Sequence, residues 1–229
     1  MSLGWREAWQ HGPLAYDPPD GHRPRPGAAA ETSAGKARRA VFLDRDGVIN
    51  AGVPDADTGL LESPLHPSEV RLLDGVPGAL HELLAGGRTL VCVSNQPAAA
   101  KGKTSLEDLL AVHERVLALL AEQGVALDAS RLCPHHPDGV VPGLSGPCRC
   151  RKPAPGMLLH AAGSLGLELA GSWMVGDTDA DIAAGVAAGS RTVLLAYPGS
   201  AHKRHGAPHP DCLAKNLPAA VKWLGEAPR

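Results

Sequence analysis

The sequence predicts an α/β protein with a three-layer, Rossmann-like parallel sheet. Two observations support this class. From about residue 38 onward, short apolar runs of strand length alternate with longer segments that have helical periodicity. Such alternation is typical of a parallel sheet with helices on both faces. The chain has 229 residues, 44% of them hydrophobic, which suffices for one sizeable domain.

The elements follow in chain order. The predicted strands are 40–44, 89–95, 172–177 and 191–197, and the predicted helices are 77–87, 104–124, 156–165 and 179–189. The helix over 104–124 carries the clearest signals, because Thr104 and Glu107 match a capping box and Gly124 can end it. In the last helix, Asp179 is expected to be the N-cap, with a role as a metal ligand as the alternative.

Composition limits the partners and the cellular compartment that the sequence predicts. Residues 1–37 are rich in Pro, Gly, Ala and Arg, which predicts a disordered or loosely packed tail before a domain over 38–229. The formal net charge of -2 and the scarcity of aromatic residues argue against a nucleic-acid partner. No apolar stretch is long enough to span a membrane, and no secretory signal is evident. We expect a cytoplasmic monomer with a small-molecule partner.

Polar residues follow the predicted strands, where open parallel sheets place their functional sites. Asp44 and Asp46 end the first strand, Ser94 ends the second and Asp177 ends the third. Lys152 lies shortly before the third strand. Together these residues can carry out phosphoryl transfer.

Each residue type has a part in that chemistry. A carboxylate can attack phosphorus to form an aspartyl-phosphate, and a second carboxylate can move the protons. Attack by an anion on an anion requires a hard cation such as Mg²⁺, which carboxylates bind. A lysine and a hydroxyl can hold the oxygens of the transferred group.

A second group of residues lies in the stretch "CPHHPDGVVPGLSGPCRC", residues 133–150, which we call the cysteine loop. Cys133, Cys148 and Cys150, with His135 or His136, have the number and type of ligands found in closed structural zinc sites. A loop rich in Pro and Gly buries little apolar surface, so a metal can supply its folding energy.

Four segments in order, "FLDRDGVIN", "VSNQ", "CRKP" and "VGDTDAD", resemble the motifs of the haloacid dehalogenase-like (HAD-like) phosphohydrolase superfamily. Within it, the chain is most similar to the zinc-loop phosphatases that act on D-glycero-D-manno-heptose 1,7-bisphosphate at its 7-phosphate. Phosphatases of histidinol phosphate or of another small phosphomonoester are the alternative. The resemblance implies an HAD-like fold with little or no cap domain.

The resemblance also assigns roles. It implies that Asp44 is the nucleophile and Asp46 the general acid/base, with Ser94 and Lys152 contacting the phosphoryl group. It implies that Mg²⁺ is bound by Asp44, by the Asp46 carbonyl and by Asp177. The cysteine loop is expected to bind structural Zn²⁺ through Cys133, His135, Cys148 and Cys150. The residues expected to bind substrate are Arg45, Asn95, Gln96, Arg151 and Lys152.

Some questions stay open from the sequence. Twelve residues separate His135 from Cys148, which favours the heptose-type loop over the shorter histidinol-type one. Thr178 stands where the heptose enzymes commonly have a lysine, and segment 51–61 differs from theirs. Asp181 can either stabilise its loop or approach the metal. Two alternative functions belong to other classes, namely a zinc-binding recognition module and a non-catalytic scaffold.

Overall fold

The computed structural model describes residues 12–18, 38–55, 58–206 and 208–226. The strands are β1 (Leu14–Tyr16), β2 (Ala40–Leu43), β3 (Val53–Pro54), β4 (Leu61–Glu62), β5 (Thr89–Asn95), β6 (Ala129–Cys133), β7 (Trp173–Gly176), β8 (Arg191–Leu195) and β9 (Cys212–Ala214). The α-helices are α1 (Val76–Ala85), α2 (Leu106–Glu122), α3 (Gly156–Leu165), α4 (Asp179–Ala188) and α5 (Leu217–Glu226). Short 3₁₀ helices cover Pro67–Glu69 and Pro198–Lys203.

Seven strands form one sheet in the order β1-β6-β5-β2-β7-β8-β9. Strand β2 lies at the centre and pairs in parallel with both β5 and β7, with Leu43 opposite Cys92 and Val175. Strands β6, β8 and β9 continue the parallel pairing outward, and β1 alone runs antiparallel, at one edge. The predicted fold class, an α/β protein with a mainly parallel sheet between two layers of helices, is confirmed.

Helices bury apolar side chains against both faces of the sheet. On one face the core includes Leu80 of α1, Val116 of α2 and Leu224 of α5. On the other face it includes Leu158 of α3 and Ala184 of α4. Burying one such leucine side chain contributes about 1.5–3 kcal/mol, so these two layers hold the sheet in place.

The strand between α2 and the cysteine loop was not predicted. Strand β6 reads "ASRLC", and all five residues are buried, including Ser130 and Arg131. A buried strand is predicted from a continuous apolar run, and in β6 the polar residues interrupt that run. Strand β9 and helix α5 were also missed, and with β1 and β6 this makes three of the seven strands of the sheet that were not predicted.

The prediction of a disordered or loosely packed tail over residues 1–37 is wrong for the part of it that the structure describes. Leu14, Ala15 and Tyr16 form strand β1 and are only 3–7% exposed. The rest of that predicted tail, residues 1–11 and 19–37, lies outside the described residues.

Two predicted helix caps are displaced by one residue. Ser105, not Thr104, precedes α2, and its hydroxyl accepts a hydrogen bond from the Asp108 amide at 2.9 Å. Thr178, not Asp179, precedes α4, and its amide donates to the carboxylate of Asp181 at 3.0 Å. The second displacement matters for function, because it fixes the side chain of Asp181.

A small antiparallel hairpin of β3 and β4 lies apart from the main sheet, between β2 and α1. It occupies most of the segment 51–61 considered in the sequence analysis. Among the described residues, no helix is both long and apolar enough to cross a bilayer.

The cap of α2 gives a test of the helix boundary. We expect Ser105→Ala to lower the free energy of unfolding by about 1 kcal/mol, because the Asp108 amide loses its acceptor. Thr104→Ala is the matched control and should change it by less than about 0.5 kcal/mol. Urea denaturation of both variants measures the free energy of unfolding. A larger loss in Thr104→Ala than in Ser105→Ala would support Thr104 as the cap, as predicted from the sequence.

Candidate active site

The parallel pairing of β2 with β5 and β7 brings three strand ends to one edge of the sheet. Asp44 follows β2, and its amide donates to the Val175 carbonyl of β7 at 3.0 Å. Ser94 lies in β5 and Asp177 follows β7. All three side chains line one cavity of about 790 Å³. The expectation that these residues meet is therefore fulfilled by the geometry.

Asp44 is held at both carboxylate oxygens. Its Oδ1 accepts a hydrogen bond from the Ser94 hydroxyl at 2.7 Å, and its Oδ2 lies 3.0 Å from Lys152 Nζ. Burial raises the pKa of Asp44 to about 6, although the Lys152 charge opposes that rise. Asp44 is thus a buried carboxylate with a fixed orientation.

Lys152 reaches the same point from the far end of the cysteine loop. Its ammonium group contacts Asp44 Oδ2, Asp181 Oδ1 at 2.5 Å and the Val93 carbonyl at 2.8 Å. Burial lowers the pKa of this lysine, but the charges of Asp181 and Asp44 outweigh burial, and the net shift is upward. Lys152 therefore stays protonated next to the carboxylates.

Three carboxylates surround this single ammonium. Ligand oxygens of Asp44, Asp177 and Asp181 all lie within 4.8 Å of one another. Three negative charges and the one positive charge of Lys152 leave a formal excess of two negative charges. Burial raises the pKa of Asp177 well above its usual range, and the charges of Asp44 and Asp181 add to that rise. One divalent cation would balance the cluster.

The oxygen atoms also suit a cation. Asp177 Oδ1 is buried and has no hydrogen-bond partner among the described residues. Both oxygens of Asp181 are engaged, one by Lys152 and the other by Thr178. Asp177 and Asp44 are therefore the better ligands, and Asp181 serves mainly to hold Lys152. A hard cation such as Mg²⁺ matches this all-oxygen set.

Two glycines allow the carboxylates to lie this close to the backbone. Gly47 has a φ of 82°, and a Cβ at this position would lie 2.0 Å from Asp177 Oδ2. A Cβ at Gly176 would lie 2.1 Å from the Cβ of Asp181. Any side chain at either position would displace a carboxylate of the cluster.

Asp46 has a different environment from Asp44. Its carboxylate accepts hydrogen bonds from the side chains of Arg45, Asn50, Ser63 and Gln96 at 2.7–3.2 Å, and Arg45 donates twice. Burial raises the pKa of Asp46, but the Arg45 charge and these hydrogen bonds outweigh burial, and the net shift is downward. Asp46 is thus stabilised as a carboxylate.

Arg45 and Gln96 were expected to bind substrate, and the structure does not place them on the cavity wall. The Arg45 side chain is 0% exposed, and its guanidinium contacts Asp46 and Gln96 at 3.1 and 2.7 Å. Gln96 is also buried and bonds to Asp46 and Ser94. A buried arginine needs such partners, so these two residues position the carboxylate behind the wall.

Asn95 and Arg151 do line the cavity. The Asn95 side chain exchanges two hydrogen bonds of 3.0 Å with the backbone of Lys152, so it fixes the lysine. Arg151 donates to the His135 carbonyl at 3.3 Å and is partly exposed to the cavity. One guanidinium group is therefore available beside the carboxylates.

Several cavity residues were not predicted from the sequence. The hairpin lies over the cavity and is tied on both sides by ion pairs, Asp55 with Lys103 at 2.6 Å and Glu62 with Lys203 at 2.9 Å. Lys101, Ser63, Tyr197 and Ser200 complete this outer wall. No signal in the sequence identified them, because they follow elements other than the three strand ends considered.

The cysteine loop gathers a second set of ligands. Sγ atoms of Cys133, Cys148 and Cys150 lie 3.3–3.6 Å apart, and His135 Nδ1 lies 3.4 Å from Cys150 Sγ. A tetrahedron with Zn–S bonds of 2.3 Å has edges of about 3.8 Å, so these spacings suit a zinc ion. His136 is outside the cluster, and its Nδ1 accepts from the Asp138 amide.

Without a cation, only one of the three clustered thiols, Cys133, is favoured as a thiolate. A hydrogen bond from Cys150 lowers the pKa of Cys133 to about 5, whereas the same contact raises the pKa of Cys150. Burial raises the pKa of Cys148. Close-packed thiols cannot all ionise without a cation, so this group could hold a metal.

Comparisons with known proteins agree with this geometry. A family model described as HAD-hydrolase-like matches residues 149–220. The D-glycero-beta-D-manno-heptose-1,7-bisphosphate 7-phosphatase of Yersinia pestis is 39% identical over 186 residues, 80% of this chain and 95% of its own. The enzyme of the same name from Escherichia coli strain K12 is 40% identical over 164 residues, 72% of this chain and 82% of its own.

A solved structure is also similar. The D,D-heptose 1,7-bisphosphate phosphatase from B. bronchiseptica, complexed with magnesium and phosphate, has a TM-score of 0.68 and 32% sequence identity. The match covers 82% of this chain and 99% of that one.

The charge excess of the carboxylate cluster leads to a stability prediction. Asp177→Asn should stabilise the metal-free protein at pH 7.5 by about 1–2 kcal/mol, because one buried negative charge is removed. The pKa of Asp177 is raised, so wild-type stability falls as pH rises from the ordinary aspartate pKa of the unfolded chain toward the folded-state pKa. The difference between the variant and the wild type should therefore shrink between pH 7.5 and pH 5.

Thermal unfolding with and without Mg²⁺ measures both effects. The cation should raise the melting temperature of the wild type much more than that of Asp177→Asn, since the variant lacks a ligand. Asp74→Asn, a change at an exposed aspartate, is the control. Destabilisation by Asp177→Asn at pH 7.5 would contradict the charge argument.

Proposed function

The chain belongs to the HAD-like phosphohydrolase superfamily, and we propose that it is the Mg²⁺-dependent phosphatase of D-glycero-D-manno-heptose 1,7-bisphosphate, acting at the 7-phosphate. The main support is the pair formed by Asp44 and Lys152. A buried carboxylate with two fixed oxygens lies beside a protonated lysine, in a cluster that needs a divalent cation, at the base of a cavity. That arrangement suits attack on a phosphate group.

In the first half-reaction, a carboxylate oxygen of Asp44 forms a bond to phosphorus, and the bond from phosphorus to the 7-oxygen of the sugar breaks. The leaving oxygen takes a proton from Asp46. In the second half-reaction, Asp46 accepts a proton from water, whose oxygen attacks the aspartyl-phosphate. Inorganic phosphate leaves, and Asp44 returns to a free carboxylate.

The environment of Asp46 suits the second half-reaction as it stands. Its lowered pKa favours the carboxylate, which is the form that accepts a proton from water. To act as the acid in the first half, the carboxylate must exchange one of its donors for the sugar oxygen. Among the four donor residues, Ser63, which follows the hairpin, is the one that lines the cavity, and its hydroxyl donates to Asp46 at 2.7 Å.

Mg²⁺ would be held by Asp44 and Asp177, with the Asp46 carbonyl expected as the third protein ligand. When bound, it supplies positive charge that lets a carboxylate approach a phosphate dianion. Lys152 and Ser94 would hold the phosphoryl oxygens, since both already touch Asp44.

The outer wall of the cavity favours a bisphosphate over histidinol phosphate. Arg151, Lys101, Lys103 and Lys203 line the route away from Asp44. Lys103 and Lys203 have acidic partners, but in the described part of the chain Arg151 and Lys101 have none within ion-pair distance. Cations there suit a second phosphate and disfavour the amine of histidinol phosphate.

We propose that the cysteine loop binds one structural Zn²⁺ through Cys133, His135, Cys148 and Cys150. Four protein ligands leave no position for water, so the role would be to fix the loop. The last ligand immediately precedes Arg151 and Lys152, so the ion would hold both residues in place.

We also propose that the protein is a cytoplasmic monomer. All five cysteines lie within the described residues and none forms a disulfide. Reduced thiols are the form that binds zinc and are typical of the cytosol.

Asp44→Asn tests the nucleophile. We expect turnover to disappear while the fold is kept, because an amide cannot form the aspartyl-phosphate. Asp46→Asn should slow turnover by about 10²–10⁴-fold, the usual contribution of a general acid/base. Steady-state assays and mass spectrometry of quenched enzyme measure both, and a phosphoryl group trapped on Asp46 would reverse the two roles.

Arg151→Ala tests the substrate. We expect it to reduce kcat/KM for a heptose 1,7-bisphosphate more than for a simple monophosphate, by about 1.5–3 kcal/mol for a lost charge-assisted contact. Arg149→Ala is the matched control, since Arg149 belongs to the same loop but is exposed and does not line the cavity. Equal losses on both substrates would remove Arg151 from substrate recognition and favour another phosphomonoester.

A further inference from the structure

Strand β1 covers the outer edge of β6, the strand that leads into the cysteine loop. The two strands are antiparallel, with Leu14 opposite Leu132 and Tyr16 opposite Ser130. Leu132 directly precedes Cys133, the first of the four clustered ligands. The residues of β1 therefore lie beside the point at which the chain leaves the sheet.

Arg131 connects this edge to helix α3. Its side chain is 0% exposed, yet a guanidinium group carries a permanent charge and five N–H donors. Nε donates to His160 Nδ1 at 2.9 Å, and Nη2 donates to Ser164 Oγ at 2.8 Å. Both partners belong to α3, so Arg131 fixes that helix against β6.

The N-terminal segment, residues 12–18, supplies two further partners of Arg131, besides the Ser130 carbonyl of β6. Nη2 of Arg131 lies 2.8 Å from Asp17 Oδ1, and Nη1 donates to the Tyr16 carbonyl at 3.3 Å. In the described part of the chain, Asp17 is the acidic partner of this buried cation. Removing it would leave a buried charge without compensation, which is costly.

These contacts lie at both ends of the cysteine loop. The chain enters the loop from β6, at Cys133, and after Lys152 it continues into α3, which begins at Gly156. Arg131 joins the entering strand to the leaving helix, and the N-terminal segment completes its environment. The distance between the two ends of the loop therefore depends on residues more than a hundred positions earlier in the sequence.

We propose that the N-terminal segment is a positioning element for the cysteine loop, and that its docking on β6 and Arg131 controls how firmly the loop retains its metal. This inference rests on the zinc site proposed above. In the described part of the chain, the segment pairs with β6 and Arg131 and lies outside the lining of the active-site cavity. It acts through the ends of the loop that carries Arg151 and Lys152.

The test uses the full chain loaded with zinc. Asp17→Ala should increase the rate of zinc release to a chromophoric chelator by about tenfold or more, because a charge-assisted contact to Arg131 is lost. Asp17→Asn keeps the accepting oxygen and should release zinc less than about threefold faster than wild type. Leu14→Ala weakens the same docking without touching the ion pair and should also speed release.

Asp211→Ala is the matched control. Asp211 Oδ2 accepts from the Thr192 amide at 2.7 Å at the opposite side of the sheet, so this variant also loses an aspartate contact to a strand. It should leave zinc release unchanged. If zinc release rose in all variants in proportion to their loss of unfolding free energy, or stayed unchanged in Asp17→Ala, the positioning role would be wrong.

A second measurement separates this inference from the zinc proposal. Elemental analysis of the wild type tests for one zinc per chain. Amide hydrogen exchange in metal-free protein then tests the docking alone, with faster exchange expected at residues 131–133 and 156–160 in Asp17→Ala but not in Asp211→Ala. If the wild type contained no zinc, the zinc proposal would be wrong. If amide exchange in Asp17→Ala were the same as in the wild type, the positioning role would be wrong.

Discussion

The active site depends on the contact between Lys152 and two buried carboxylates. Asp44 and Asp181 lie on either side of its ammonium group at 3.0 and 2.5 Å, and Asp177 completes the cluster. Without the lysine, three negative charges would share a space from which water is largely excluded, and the carboxyls would take up protons instead. A protonated Asp44 is a poor nucleophile. The position of one lysine thus controls the reactivity of the site.

That requirement explains why so much of the fold supports the backbone of Lys152. The residue belongs to no helix or strand. Asn95 holds its backbone by two hydrogen bonds, and the cysteine cluster lies immediately before it. A loop rich in proline and glycine has few apolar contacts of its own, so a metal bound by the proposed ligands would supply the stability that a hydrophobic core gives elsewhere. The thiol cluster and the carboxylate cluster differ in ligand type, which would keep zinc and magnesium at separate positions.

The sequence predicted the parts of the site that follow directly from strand order. Three residues of the site, Asp44, Ser94 and Asp177, lie at the ends of predicted strands. In an open parallel sheet the carboxyl ends of the strands lie at one edge, which was enough to predict that these side chains lie close together. Arg45 could not be assigned in this way, since sequence position does not reveal which way a side chain points after a tight turn. Strand β6 was missed because Arg131 and Ser130 are polar although buried. Strand β1 was missed because three residues between prolines give no periodicity, and only its pairing with β6 makes it a strand.

The two aspartates of the first motif show how environment separates their chemistry. Asp44 is buried with like charges, and its pKa rises to about 6, whereas Asp46 accepts five hydrogen bonds and its pKa falls. Asp44 thus holds its proton to a higher pH than Asp46, whereas the proposed first half-reaction needs Asp44 ionised and Asp46 protonated. A bound cation would lower the pKa of Asp44, because it would stabilise the carboxylate. Arrival of the sugar oxygen in place of the Ser63 hydroxyl removes one of the contacts that keep Asp46 ionised. In the proposed mechanism, cation and substrate therefore act on different aspartates, and each would move one of them toward the form that the first half-reaction needs.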